Sequence, residues 1–144
     1  MIKKVLENVF GTRHSRELKR IQPILAEIHG HDGRLQHVSD AELQAQTAKF
    51  RELIRARTTV LETQIAMLKE EKRAAPDVAE RDRIDLELSG ADGQGGIEAE
   101  WRQLIADILD EILPEAFATV REAARRLLGT TVSVTGHDLT WDMV

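Results

Sequence analysis

Several groups of residues in this chain have types and spacings that chemistry can use. His29, His31 and Asp32 stand in a His-Gly-His-Asp-Gly run, and imidazole and carboxylate are both metal ligands. Their spacing fits neither a helical nor a strand-based metal site, and no fourth ligand lies near in sequence. Residues 29–33 therefore read as a solvated loop. Residues 89–96 are glycine-rich, as phosphate-cradling loops are, but they lack the Gly-Lys-(Ser/Thr) ending of a P-loop and no strand precedes them. They read as a flexible turn. His137 beside Asp138 has the composition of an acid–base pair without a nucleophile to serve, and Ser15, Ser39, Ser89 and Ser133 have no nucleophile-elbow context. The absence of cysteine removes thiol nucleophiles, zinc–thiolate sites and disulfides. No catalytic, cofactor-binding or metal-ligating residue is assigned from these groups.

Charge is more informative. The chain carries −5 overall, yet residues 1–22 hold Lys3, Lys4, Arg13, Arg16, Lys19 and Arg20 against Glu7 and Glu17, a local +4 that leaves −9 for the rest. A basic end on an acidic protein points to an anionic partner there. Nucleic acid is the weaker candidate, because stacking aromatics are needed and this end offers only Phe10. Lipid headgroups fit better. Ile2, Val5, Leu6, Val9 and Phe10 fall on one helical face before Gly11, and a short basic amphipathic helix can lie in a bilayer interface or dock on its own protein core. No run of residues approaches the length of a membrane span, and no continuous apolar stretch follows the first lysines as a cleaved signal would require.

The elements that position these groups read as helices. Leu18, Ile21, Leu25 and Ile28 are in register over 15–28, with Ser15 as a cap and Pro23 as a kink or a new first turn. Ser39 followed by Glu42 is a capping box, opening a helix that carries Leu43, Thr47, Phe50, Leu53 and Ile54. Leu61, Ile65 and Leu68 continue a helical pattern that Ala74-Ala75-Pro76-Asp77 breaks. Ile84 and Leu88 lie on a charged segment before the turn at 89–96. Ile97, Trp101, Leu104, Ile105, Ile108, Leu109, Ile112 and Leu113 form the strongest stripe, wide enough to pack against more than one neighbour. Pro114 suits a first helical position, so one helix is expected to end there and another to start. Phe117, Val120, Ala124 and Leu127 form its expected buried stripe, with Arg125 and Arg126 in the last turn and Gly129 at C′. The β-branched run 130–135 reads as a strand.

Three strings, in order, carry a family resemblance. They are Phe10-Gly11-Thr12-Arg13 with Arg16-Glu17-Leu18-Lys19-Arg20, the capped segment from Leu35 through Ser39-Asp40-Ala41-Glu42-Leu43 to Arg51, and Leu113-Pro114-Glu115-Ala116-Phe117-Ala118 through Val120-Arg121-Glu122-Ala123-Ala124-Arg125-Arg126. Together they resemble the N-terminal region of the SecA family, the bacterial preprotein translocase ATPases. The resemblance covers about residues 1–57 and 112–129. Between them, 58–111 reads as a helical hairpin insertion, longer than the usual family connector and comparable to insertions in some bacterial lineages. The Asp-Val-Gln-Leu segment and Walker A loop that follow in the family are not within these 144 residues.

The resemblance implies a mainly α chain of three parts: basic amphipathic helices over 1–57, the insertion over 58–111, and over 112–144 a start of the first nucleotide-binding domain, whose short β segment would enter a RecA-like α/β fold. It implies a motor that couples ATP hydrolysis, with Mg, to preprotein export through the SecYEG channel, acting as a homodimer in full length. The location it implies is cytoplasmic, peripheral on the inner face of the plasma membrane. The ATP site lies outside this segment, so no catalytic residue transfers and the segment alone is not expected to be active. Lys3, Lys4, Arg13, Arg16, Lys19 and Arg20 transfer as candidates for contact with anionic lipid or the channel. The competing expectation is a free-standing helical adaptor at an anionic membrane surface, without catalysis.

Overall fold

The computed structural model describes residues 13–142, with side chains from Ser15 onward. The helix expected over 2–10, with Lys3 and Lys4, lies outside the described residues. Four helices and one hairpin follow in order among those described: α1 (Arg13–Leu35), α2 (Asp40–Ala74), α3 (Val78–Ser89), α4 (Gly96–Leu127), β1 (Thr131–Val134) and β2 (His137–Thr140). The fold is thus mainly α with a short antiparallel sheet. The chain divides into two compact units, residues 1–46 with 113–144 and residues 47–112.

In the first unit, Leu35 and Ala118 are fully buried and Leu43 nearly so, with Ile28, Val38 and Ala123 packed against them. Ala118 is small, so α4 comes close to Leu35 at the end of α1. The capping box forms reciprocally. Ser39 N–H (2.8 Å) and its hydroxyl (2.7 Å) donate to Glu42 Oε2, and Glu42 N–H donates back to Ser39 Oγ at 3.3 Å. The two donations from Ser39 hold the Glu42 carboxyl below its ordinary range. After α4, Gly129 takes φ 78°. Its N–H donates to Trp141 O (2.8 Å), and Trp141 N–H donates to Thr130 O (2.9 Å) at the base of the hairpin. Thr135 and Gly136 both have positive φ (51° and 83°), the requirement of a tight two-residue hairpin turn, and pair Val134 with His137. Both strands are exposed along their length.

Three expectations are corrected here. Residues 29–33 are the last turns of α1 rather than a loop. The glycines cost about 1 kcal/mol each in a helix, and what holds them helical is tertiary: Asp32 and Leu35 are both buried. Pro23 and Pro114 lie inside α1 and α4, which run through them. A proline removes one backbone donor, and the strong helix formers on either side of Pro114 carry the helix across that gap. Phe117, Val120 and Leu127 do not face the core. Phe117 is 58% and Val120 69% exposed, while Pro114, Ala118 and Glu122, one turn apart, face inward.

The second unit has its own core of Ile65, Ala75, Ile84 and Leu88, with Leu68, Ile97 and Trp101 against it. The breaks fall where the sequence placed them. Asp77 caps α3 by accepting from Glu80 N–H at 2.9 Å, and Gly90 ends it with its N–H on Leu86 O at 2.8 Å. Gly96 opens α4 with φ 69°, and a Cβ there would lie 2.6 Å from Leu88 C and O, so no other residue fits. Arg57 grips Glu111 with both guanidinium nitrogens, joining α2 to α4 and holding the Glu111 carboxyl below its ordinary range.

Ser39→Ala is expected to lower unfolding free energy by about 1 kcal/mol in urea melts. Glu42, whose pKa is lowered on folding, contributes stability that is present above its unfolded pKa and lost as pH falls through its folded one. The stability gap between Glu42→Gln and the parent chain should therefore be full at neutral pH and shrink under acid.

Candidate functional site

Of the six candidate contact residues, Lys3 and Lys4 lie outside the described residues, and Arg13 is the first residue of α1. Arg16, Lys19 and Arg20 are exposed on α1. At 100° per residue, Lys19 and Arg20 each lie a further 100° around the helix from Leu18 and Ile21, on its polar side, and Arg16 falls opposite the Leu18–Ile21–Leu25 face. Leu18 (48%), Ile21 (42%) and Leu25 (44%) all remain exposed. Leu18, Ile21 and Leu25 belong to neither hydrophobic cluster among the described residues, whereas Ile28 packs on the core of the first unit. The combination is an exposed apolar strip on a helix whose polar side carries cations, the amphipathic pattern by which a helix lies at an anionic interface with long amines and guanidines reaching around toward headgroups.

Polar side chains that the sequence reading passed over hold this helix. Arg126 Nε donates to Glu122 Oε1 (2.8 Å), its Nη1 to Asp40 Oδ1 (2.6 Å), and its Nη2 to Leu35 O (3.0 Å) and Val38 O (2.8 Å). The two carbonyls belong to the end of α1 and the turn after it, where helix termini leave acceptors without backbone partners. The carboxylates of Glu122 and Asp40 hold the guanidinium still more firmly protonated than usual. Asp32, read from sequence as a possible ligand in a loop, is instead a buried carboxylate whose Oδ2 accepts from Arg121 Nη1 at 2.8 Å. Arg34 pairs with Glu115 on the same unit. The sequence placed Arg126 in the last turn of its helix and gave it no partner. The signal that could have located these ties is the density of arginine and glutamate over 121–126, more than one helix end needs.

Chemistry beyond contact is not assembled. Among the described residues no group of three or more His, Asp or Glu is placed to hold a metal ion. His137 and Asp138 sit on β2, exposed. No helix of the described residues is long and apolar enough to cross a membrane.

A family model described as the SecA DEAD-like domain matches residues 6–135. The chain is similar to the protein translocase subunit SecA of Chlorobaculum tepidum, 34% identical over 143 residues that cover 98% of this chain and 13% of the relative. It is similar also to those of Salinibacter ruber, 36% identical over 153 residues (96% and 13%), and Prosthecochloris aestuarii, 37% identical over 143 residues (98% and 13%). Alignments of that coverage extend across residues 58–111. The chain spans 13% of the length of these relatives. No solved structure matches it.

If Arg126 acts through its planar fork, Arg126→Lys should lose most of the thermal stability that Arg126→Ala loses, because an ammonium cannot reach Glu122, Asp40 and two carbonyls at once. A Lys variant as stable as the parent would reduce the residue to a surface charge.

Proposed function

The chain belongs to the SecA family of protein translocase subunits, and from that premise we propose that it is the N-terminal part of a translocase motor whose own task is docking. In this reading α1 seats the protein at an anionic membrane surface and against the SecYEG channel, on the cytoplasmic side. The observation that carries it is the exposed Leu18–Ile21–Leu25 strip on a helix whose polar side carries Arg16, Lys19 and Arg20.

ATP, Mg and preprotein are handled, in this proposal, by parts of the motor beyond these residues. The exposed face of α4 is a second contact. Leu113, Phe117, Val120, Ala124 and Leu127 recur at alternating steps of four and three, and on a protein several times longer the rest of the DEAD-like domain is its occupant. The hairpin after Gly129 then leads into the nucleotide-binding, RecA-like fold, with 58–111 as an inserted helical element between the docking helices of 1–57 and the domain start at 112–144. A free-standing adaptor would share the lipid contact but would leave the α4 face in water, and exposed apolar patches of that kind favour self-association.

Sedimentation with phosphatidylglycerol vesicles tests the docking role. Each Lys or Arg near an anionic surface contributes about 1 kcal/mol, so Lys19→Gln with Arg20→Gln should weaken binding about thirtyfold, and Leu18→Ser with Ile21→Ser should weaken it too. Arg51→Gln with Arg55→Gln, equal charge removed elsewhere, should leave it unchanged. Binding that is insensitive to salt and to the α1 changes defeats the proposal.

A further inference from the structure

The second unit carries the protein's entire net negative charge, with ten Lys and Arg against fifteen Asp and Glu over residues 47–112. Within it lies one concavity of opposite character. Lys69, Lys72 and Arg73, from the last turns of α2, and Arg81, from the first turn of α3, line a hollow of about 520 Å³ that no carboxylate lines. The hollow is held open by the corner between the two helices. Ala75 is buried there, and Arg81 donates from Nε (3.3 Å) and Nη2 (3.1 Å) to Ala75 O. That tie uses Nε and Nη2 and leaves the Nη1 donors for another acceptor. Among the described residues no carboxylate forms an ion pair with Arg81.

The other three cations have partners at the rim. Lys69 pairs with Glu98 (2.8 Å), Lys72 with Asp85 (2.5 Å) and Arg73 with Glu70 (2.9 Å). All six of these side chains are at least a quarter exposed, and exposed pairs are worth little. An ammonium has three donors and a guanidinium five, so each cation can keep its carboxylate and still turn a donor inward. Helix-end electrostatics accounts for Lys72 and Arg73 in the last turn of α2. It does not account for Lys69 one turn earlier, nor for a guanidinium at the start of α3, where a cation is disfavoured.

We propose that this corner of the insertion is a binding site for a multiply charged phosphate-type anion, held by Lys69, Lys72, Arg73 and Arg81. It is separate from the basic strip of α1 and does not depend on the docking role given to it. Two or more anionic oxygens are required, because four converging cations repel one another unless more than one negative charge sits among them, and tetrahedral oxyanions accept from Lys and Arg in several directions at once.

The test is a titration of the full chain with inorganic pyrophosphate at ionic strength held constant with chloride, followed by amide ¹H–¹⁵N spectra. Saturable shifts confined to amides within 69–81 are expected, at least tenfold weaker in Lys72→Gln with Arg73→Gln. That variant keeps the Arg81–Ala75 tie and an unchanged thermal midpoint. A second arm sediments the same variant with vesicles containing phosphatidic acid, whose phosphomonoester headgroup can carry two negative charges. Binding lost there as well identifies a lipid headgroup as the source of the phosphate. Vesicle binding unchanged beside a lost pyrophosphate response identifies a soluble phosphate. Shifts that rise without saturation, or a saturable response the variant leaves intact, overturn the proposal.

Discussion

The first unit depends on how Glu122 is neutralised. A carboxylate this deeply buried is costly without a cation, and the same helix supplies two: Arg126 Nε donates to Glu122 Oε1 at 2.8 Å, and Arg125 Nη1 pairs with Oε2 at 2.9 Å. The Arg126 guanidinium also reaches Leu35 O, Val38 O and Asp40, so one side chain joins the buried acid to the end of α1 and the start of α2. This fixes the rotation of α4 about its axis. With Glu122 and Ala118 turned inward, Phe117 and Val120 must point out. It also fixes where α1 stops being supported, since packing begins at Ile28 and leaves Leu18, Ile21 and Leu25 exposed. Both faces offered to partners thus follow from one polar cluster.

The second unit is built on different terms. Its core is four buried apolar residues and a half-buried tryptophan whose indole N–H donates to Glu62 Oε1 at 3.3 Å. Around it, Arg57–Glu111, Lys69–Glu98 and Lys72–Asp85 tie helix to helix. Such pairs select one register more than they stabilise it. The caps at Asp77 and Gly90 and the positive φ of Gly96 fix the corners, and the cationic hollow is a product of the first of those corners.

What the sequence made legible is local. The Ser39–Glu42 box, the break at 74–77, the turn at 89–96 and the strand after Gly129 each rest on residues within four positions of one another, and each stands where it was read. The family was legible for a related reason: three strings in fixed order are specific even when each is short. The misreadings needed partners distant in sequence. Gly30 and Gly33 argue for a loop unless one knows that Asp32 meets Arg121 eighty-nine positions later. The stripe of α4 was found at the right residues with the wrong neighbour, because periodicity marks a face as apolar without saying whether this unit or another surface covers it. Arg126 was read only as a last-turn residue, and its reach to Leu35 and Val38 is visible only in three dimensions.

The central claim is that the α1 strip, rather than the α4 stripe, is what meets an anionic membrane. The chain has no cysteine, so single labels can be placed without background. We would attach an environment-sensitive fluorophore to Ile21→Cys and, separately, to Val120→Cys, and add vesicles with and without phosphatidylglycerol. The account predicts a blue shift and shielding from an aqueous quencher at position 21, with anionic vesicles only, and no change at position 120. A shift at 120 with none at 21 would contradict it.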